Sequence, residues 1–208
     1  MKLKICGMKH NTAEVAQLRP DYLGFIFWEH SSRFFDTEIP QLPHHINKVG
    51  VFVDAKPKYI IEMVKKHQLQ GIQLHGQESP IYCKNISLDL IKENQKVSII
   101  KVFSIKDEFD FGVLQQYENC CDFFLFDTKG KLPGGNGYTF NWSVLKNYPS
   151  NKPYFLSGGI GPNNLDKIKQ FLELPESKNC YAIDINSKFE LQPGLKNIEE
   201  LQKFKKAL

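Results

Sequence analysis

Short runs of apolar residues, many of them β-branched or aromatic, recur at fairly even spacing along the chain. They fall at residues 3–6 (LKIC), 22–27 (YLGFIF), 48–53 (KVGVFV), 71–75 (GIQLH), 97–103 (VSIIKVF), 121–126 (CDFFLF), 153–157 (PYFLS) and 180–185 (CYAIDI). Their apolar character is continuous rather than alternating, which suits strands buried on both faces of a parallel sheet. Between the runs lie segments with helical spacing. Residues 57–68 place Ile60, Ile61, Met63 and Val64 on one side. Residues 161–172 begin with Pro and Asn in first-turn positions and direct Leu165, Ile168 and Leu172 inward. Residues 196–208 put Ile198, Leu201 and Phe204 on one stripe. The second and sixth connections carry only weak helical patterns, the second being interrupted by Pro40.

Eight strands alternating with up to eight helices predict an α/β chain folded as a single (β/α)8 TIM barrel over residues 1–208, with a doubly wound open sheet as the rival arrangement. The length suits one well-buried core. Hydrophobic residues make up 41% and charged residues 24%, ordinary globular values, and the net charge is only +4. Lys and Arg are spread along the chain, apart from the KFKK near the C-terminus, so no basic stripe marks a nucleic-acid surface. No apolar run approaches the roughly 18 residues of a membrane span. The five cysteines, Cys6, Cys83, Cys120, Cys121 and Cys180, include no C-x-x-C pair and follow no secretory leader pattern. They read as free thiols in a reducing cytoplasm.

In a barrel of this kind, chemistry gathers at the C-terminal ends of the strands and in the loops after them. Those positions hold Cys6, Arg33, Asp54, His75, Asp127, Ser157, Gly158, Gly159, Asp184, Asn186 and Ser187. Each side chain has a plainer explanation: Cys6 as a small buried filler, Arg33 as a surface cation, Asp54 as a helix cap, His75 as a hydrogen-bonded structural imidazole, Asp127 as a turn former. The glycines are more specific. Gly158 and Gly159 follow the seventh apolar run and precede a helix, where backbone N–H groups can surround a phosphate. Asn186 and Ser187 occupy the loop after the eighth run, the other usual phosphate position of such barrels. A second glycine-rich stretch, PGGNG at 133–137 with Gly135 and Gly137, offers a loop that can close over a ligand.

The ordered set KICGM, SSRFF, VGVFV, IQLHG, FLFDT, GGNGYTFNW, LSGGIGPNN and FELQPGLKN resembles the phosphoribosylanthranilate isomerase family of tryptophan biosynthesis over nearly the whole length. The resemblance implies a cytoplasmic (β/α)8 enzyme, monomer or homodimer, acting on the small molecule N-(5-phosphoribosyl)anthranilate, with no nucleic-acid or membrane partner. It implies that Cys6 is the general base, Asp127 the general acid and Arg33 a substrate contact. His75, Gly135 and Gly137 would join Arg33 around the substrate, and Gly158, Gly159, Asn186 and Ser187 would hold its phosphate. The implied Amadori rearrangement uses the substrate's own nitrogen as electron sink, so it calls for neither metal nor organic cofactor. It would also favour a Cys6 thiol ionising closer to neutrality than the usual value of about 8.5. The chain departs from the family pattern at Ser32 (usually Pro), Ser157 (commonly Ala), Asn141 (commonly Asp) and Lys188 (a Gly position). Two rival readings share the barrel: another sugar-phosphate isomerase or epimerase, and a non-catalytic phosphate-binding barrel. A metal-dependent epimerase would show His and Asp ligands at several strand ends, whereas here His75 alone among the histidines ends a run.

Overall fold

Each of the eight apolar runs becomes a strand in the computed structural model, which describes residues 1–106, 108–128 and 139–208. The strands are β1 (Lys2–Ile5), β2 (Tyr22–Ile26), β3 (Asn47–Phe52), β4 (Gly71–Leu74), β5 (Ser98–Ile105), β6 (Phe123–Thr128), β7 (Tyr154–Leu156) and β8 (Cys180–Ile185). All neighbours are parallel and follow chain order, and β1 pairs with β8 to close the barrel. Closure decides against the open sheet. Lys4 faces Tyr22 across one side of β1 and Asp184 across the other, a register that matters for the site.

Side chains alternate between the two faces of each strand, so every second residue points into the barrel. Val49, Ile100, Val102, Leu125, Phe155 and Ala182 form a closed apolar cluster there, flanked by Tyr22, Phe123 and Tyr181. The outward residues belong to a larger second core shared with the helices, including Ile60, Val64, Ile86, Ile168, Phe171, Leu201 and Phe204. Two separate apolar surfaces on one strand explain why the runs lack a polar alternation.

The helices are α1 (Thr12–Gln17), α2 (Pro57–His67), α3 (Pro80–Lys92), α4 (Leu165–Leu172) and α5 (Ile198–Ala207). Proline opens α2 and α3, where its missing N–H costs no hydrogen bond. Asn197 caps α5 by accepting from the Glu200 N–H at 3.3 Å. The Pro-Asn-Asn start expected for the 161–172 helix forms a 3₁₀ turn, Pro162–Asn164, ahead of α4. Within α4 the inward pair is Ile168 and Phe171, while the expected Leu165 and Leu172 are only half-buried. Likewise Ile61 and Met63 sit half-buried beside the buried Ile60 and Val64. The second connection has no helix among the described residues, and the fifth and sixth have 3₁₀ turns at Phe111–Tyr117 and Trp142–Asn147. No helix among the described residues is long and apolar enough to cross a membrane.

Leu125 is fully buried within the inner cluster. Leu125→Ala is expected to destabilise the protein by about 2–5 kcal/mol, because rigid strands on every side prevent the cavity from collapsing. Urea unfolding checks this; a loss below about 1 kcal/mol would mean that the inner cluster repacks freely.

Candidate functional site

The alternation that fills the barrel base with apolar groups continues to the strands' C-terminal ends, where the inward residues change character. On β6 the inner face runs Phe123, Leu125, Asp127; on β8 it runs Ala182, then Asp184. Gln73 and His75 continue the same face of β4, and Lys4 and Cys6 that of β1. Cys6, Gln73, His75, Asp127 and Asp184 line one cleft at the top of the barrel, together with Arg33, Ser157, Gly158, Gly159, Asn186 and Ser187. Every expected site residue within the described part of the chain therefore borders this cleft. Gly135 and Gly137 lie outside the described residues. Asp54 is not a lining residue, nor does it cap α2; its carboxylate accepts the Gln77 N–H at 2.6 Å and braces the loop after β4.

Cys6 stands one residue past β1, yet its N–H still bonds the Ile185 carbonyl at 2.8 Å, so the thiol inherits the strand's inward direction. The chain must then turn at once. Gly7 has φ +76°, and a Cβ there would lie 2.5 Å from Asn186 Oδ1 and 2.8 Å from Arg33 Cδ. Glycine at position 7 is thus a requirement of the turn beneath Arg33. Asp127 lies within β6 rather than beyond it, and is buried. Its Oδ2 is 3.4 Å from His75 Nε2.

A hydrogen-bonded chain runs along the cleft floor. The buried Lys4 ammonium donates to Asp184 Oδ2 at 2.7 Å and to Gln73 Oε1 at 2.8 Å. Since an ammonium only donates, the Gln73 amide is oriented, and its Nε2 donates to His75 Nδ1 at 3.0 Å. The His75 proton then resides on Nε2, facing Asp127. Burial pulls the Lys4 ammonium down, but Asp184 and Cys6 outweigh that effect and raise it, so Lys4 stays charged. Burial pushes the Cys6 thiol up, with Asp184 adding to the rise and Lys4 and Lys196 opposing it. The direction is opposite to the expected shift toward neutrality, because desolvation outweighs the nearby cations.

A second charged cluster closes the cleft's rim. The antiparallel pair β9 (Glu190–Gln192) and β10 (Leu195–Lys196) follows the loop after β8. Glu190 accepts a two-point contact from Arg33, Nε at 2.9 Å and Nη2 at 2.7 Å, and a third from Lys196 Nζ at 2.8 Å. Lys196 also donates to Asn186 Oδ1 at 2.8 Å. Arg33 is thus held rigidly, with Nη1 unpaired among the described residues. Burial pushes the Glu190 carboxyl up, but Arg33 and Lys196 prevail and hold it below the usual carboxylate range.

Across the cleft, Gly158 has φ +94°, and a Cβ there would lie 2.2 Å from Thr128 Oγ1, so only glycine fits between this loop and the end of β6. The N–H groups of Gly158, Gly159 and Ser187 take no acceptor among the described residues. They leave free donors on two adjacent loops, an arrangement that suits an anion. Lys188 keeps the family's glycine position without strain, as it is not among the residues with positive φ. Asn141 caps the 3₁₀ turn Trp142–Asn147 by accepting from the Ser143 N–H at 3.1 Å.

Lys4, Gln73, Glu190 and Lys196 were not singled out from the sequence. A signal existed for two of them: Lys4 and Gln73 are polar residues inside apolar strand runs, at inward positions. Nothing local distinguishes Glu190 or Lys196, whose role depends on a hairpin folding back over the rim.

A family model described as N-(5'phosphoribosyl)anthranilate (PRA) isomerase matches residues 3–207. An N-(5'-phosphoribosyl)anthranilate isomerase of Parabacteroides distasonis is 39% identical over 98% of this chain and 91% of that protein. The crystal structure of phosphoribosyl anthranilate isomerase from Thermotoga maritima superposes with a TM-score of 0.82, at 28% identity, over 100% of this chain and 98% of that one. Another solved phosphoribosyl anthranilate isomerase, in complex with reduced 1-(o-carboxyphenylamino)-1-deoxyribulose 5-phosphate, is similar with a TM-score of 0.78 and 25% identity over 100% of this chain and 97% of that one.

The depressed Glu190 carboxyl has a consequence for stability. A carboxyl more acidic in the folded than in the unfolded chain stabilises fully above its unfolded value, here 4.5, and loses that contribution as the pH falls through the folded value. Glu190→Gln is therefore expected to be least damaging in acid: the stability gap to the parent protein should narrow below pH 4.5. Urea unfolding at pH 7, 5, 4 and 3 checks this, and a gap independent of pH would contradict the assignment.

Proposed function

Because the chain belongs to the N-(5'-phosphoribosyl)anthranilate isomerase family, we infer that its cleft carries out the Amadori rearrangement of N-(5-phosphoribosyl)anthranilate to 1-(2-carboxyphenylamino)-1-deoxyribulose 5-phosphate, a step of tryptophan biosynthesis. The observation that carries the reading is the placement of Cys6 and Asp127 on the walls of one cleft that also presents the N–H groups of Gly158, Gly159 and Ser187, which take no acceptor among the described residues.

The chemistry follows from these groups. The phosphate binds at the paired loops, with Asn186 shaping the second of them. Asp127, in its acid form, protonates the ring oxygen as the C1–O bond breaks, and the anilino nitrogen becomes an iminium. The iminium acidifies the C2 proton, which Cys6 removes as thiolate. The electron pair moves from the C2–H bond into the C1–C2 bond and on to nitrogen, and the resulting enolamine tautomerises to the aminoketose. Two features assist the thiol: the iminium is a new positive charge beside it, and Lys4 and Lys196 already oppose its desolvation. Arg33, with Nη1 unpaired among the described residues, suits the anthranilate carboxylate through a charge-assisted contact. His75, with Nε2 at 3.4 Å from Asp127 Oδ2, flanks that carboxylate between proton transfers. The five free thiols suit a reducing cytoplasm.

Cys6→Ser replaces the base with a hydroxyl un-ionised at neutral pH, and Asp127→Asn removes the transferable proton. Each is expected to lower kcat by about 10²- to 10⁴-fold while leaving the fold intact. The assay generates the substrate in place and follows the loss of its anthranilate fluorescence, with circular dichroism as the control for folding. Parent-like turnover in either variant would overturn the acid–base assignment, and an inactive parent protein would overturn the isomerase reading.

A further inference from the structure

His75 is held from two sides by separate buried lysines. On the outer side, Lys101 of β5 donates to the carbonyls that flank His75, Leu74 at 3.3 Å and Gly76 at 2.9 Å. It also donates to Glu78 Oε2 at 2.8 Å, and Glu78 in turn accepts the Gly76 N–H at 3.0 Å. These contacts fix the backbone that carries the ring. On the inner side, Gln73 fixes the ring itself. Gln73 is buried, its Oε1 accepts from the Lys4 ammonium at 2.8 Å, and its Nε2 lies 3.0 Å from His75 Nδ1. Because Lys4 can only donate, Gln73 turns its amide N–H toward the ring. Nδ1 is thereby an acceptor, and Nε2 carries the proton and faces Asp127 Oδ2 at 3.4 Å.

The choice of tautomer bears on the acid step. A ring nitrogen without a proton is a stronger base than a carboxylate, with ordinary values of about 6.5 and 3.9. A bare Nε2 at this position would draw the Asp127 proton into the protein. With Nε2 protonated and Nδ1 taken by Gln73, neither ring nitrogen offers a lone pair to that proton. The other Asp127 oxygen, Oδ1, accepts the Thr128 N–H at 3.0 Å.

We propose that Gln73 is a positioning residue for the acid step: held by Lys4, it keeps His75 in the Nε2–H tautomer and so reserves the Asp127 proton for the ring oxygen of the substrate. This assignment rests on the isomerase reading with Asp127 as acid. The proton passes from Asp127 to that oxygen as the C1–O bond breaks. The bonding pair stays with the oxygen, and His75 keeps its own proton throughout.

The test compares Gln73→Glu with Gln73→Met in the full-length protein. Glu has nearly the shape of Gln and still accepts from Lys4, but it turns an acceptor toward Nδ1, so the ring proton moves there. Met removes both hydrogen bonds and leaves the ring without a partner that dictates its tautomer. Nitrogen-15 spectra of histidine-labelled protein at pH 8 report the tautomer, with the His75 signals identified by their loss in His75→Gln. The parent protein is expected to show Nε2–H, and Gln73→Glu a protonated Nδ1. These spectra need no substrate, so their outcome stands whether or not the isomerase reading survives. In turnover, Gln73→Glu is expected to lower kcat about tenfold or more, part of the roughly 10²- to 10⁴-fold that a general acid contributes. Gln73→Met should fall between it and the parent. A packing role gives the reverse order, because Gln73→Met deprives Lys4 of an acceptor and should be the less stable variant in urea. A proton on Nδ1 in the parent, an unchanged tautomer in Gln73→Glu, or a Gln73→Glu protein that turns over as fast as Gln73→Met would each overturn the proposal.

Discussion

Closure of the sheet in parallel register is the constraint from which the rest of the structure follows. Once β1 pairs with β8, every second side chain of each strand is committed to an interior that no rearrangement of the helices can open. The base of that interior is filled by Val49, Ile100, Val102, Leu125, Phe155 and Ala182. Above them the same alternation delivers Lys4, Gln73, Asp127 and Asp184 into the barrel mouth whether or not a fold would choose to bury them. The chemistry of the cleft is therefore a layer of the core, held at the rigidity of the core rather than of the loops.

That rigidity has an electrostatic cost, and the site meets it by pairing. Lys4 is matched by Asp184 at 2.7 Å, and Glu190 is matched by both Arg33 and Lys196. With these groups neutralised, the backbone N–H groups of two loops that take no acceptor among the described residues attract an anion without adding a full charge beside the thiol. Lys4 of one cluster and Lys196 of the other both oppose the effect of burial on the Cys6 thiol. Burial nevertheless dominates and pushes the thiol above its usual range. The iminium formed during the reaction then becomes part of the machinery, since it supplies positive charge at the moment the thiolate is needed.

Much of this was legible in the sequence because a barrel strand carries a simple signal. Continuous apolar runs located all eight strands, and the residues closing them, Cys6, His75, Asp127, Gly158 and Asn186, all border the cleft. What was illegible depends on distance along the chain. Lys4 meets Gln73 and Asp184 only after the ends of the sheet join, and Glu190 meets Arg33 only because a short hairpin returns over the rim. The direction of the Cys6 thiol's shift was also beyond the sequence, because it is set by depth in the interior and not by the identity of its neighbours. Helix phase was read less well than strand position: in α4 the buried pair is Ile168 and Phe171, since a stripe seen in isolation does not say which flank meets the barrel.

The most direct test of the account is a crystal structure of this protein with reduced 1-(o-carboxyphenylamino)-1-deoxyribulose 5-phosphate, the ligand held by a solved relative. The account requires the phosphate on the N–H groups of Gly158, Gly159 and Ser187, the carboxylate toward Arg33, and C2 of the sugar chain about 3–4 Å from the Cys6 sulfur. Asp127 should stand within hydrogen-bond reach of the hydroxyl derived from the ring oxygen. A ligand whose phosphate lies elsewhere, or whose C2 is out of reach of Cys6, would contradict it.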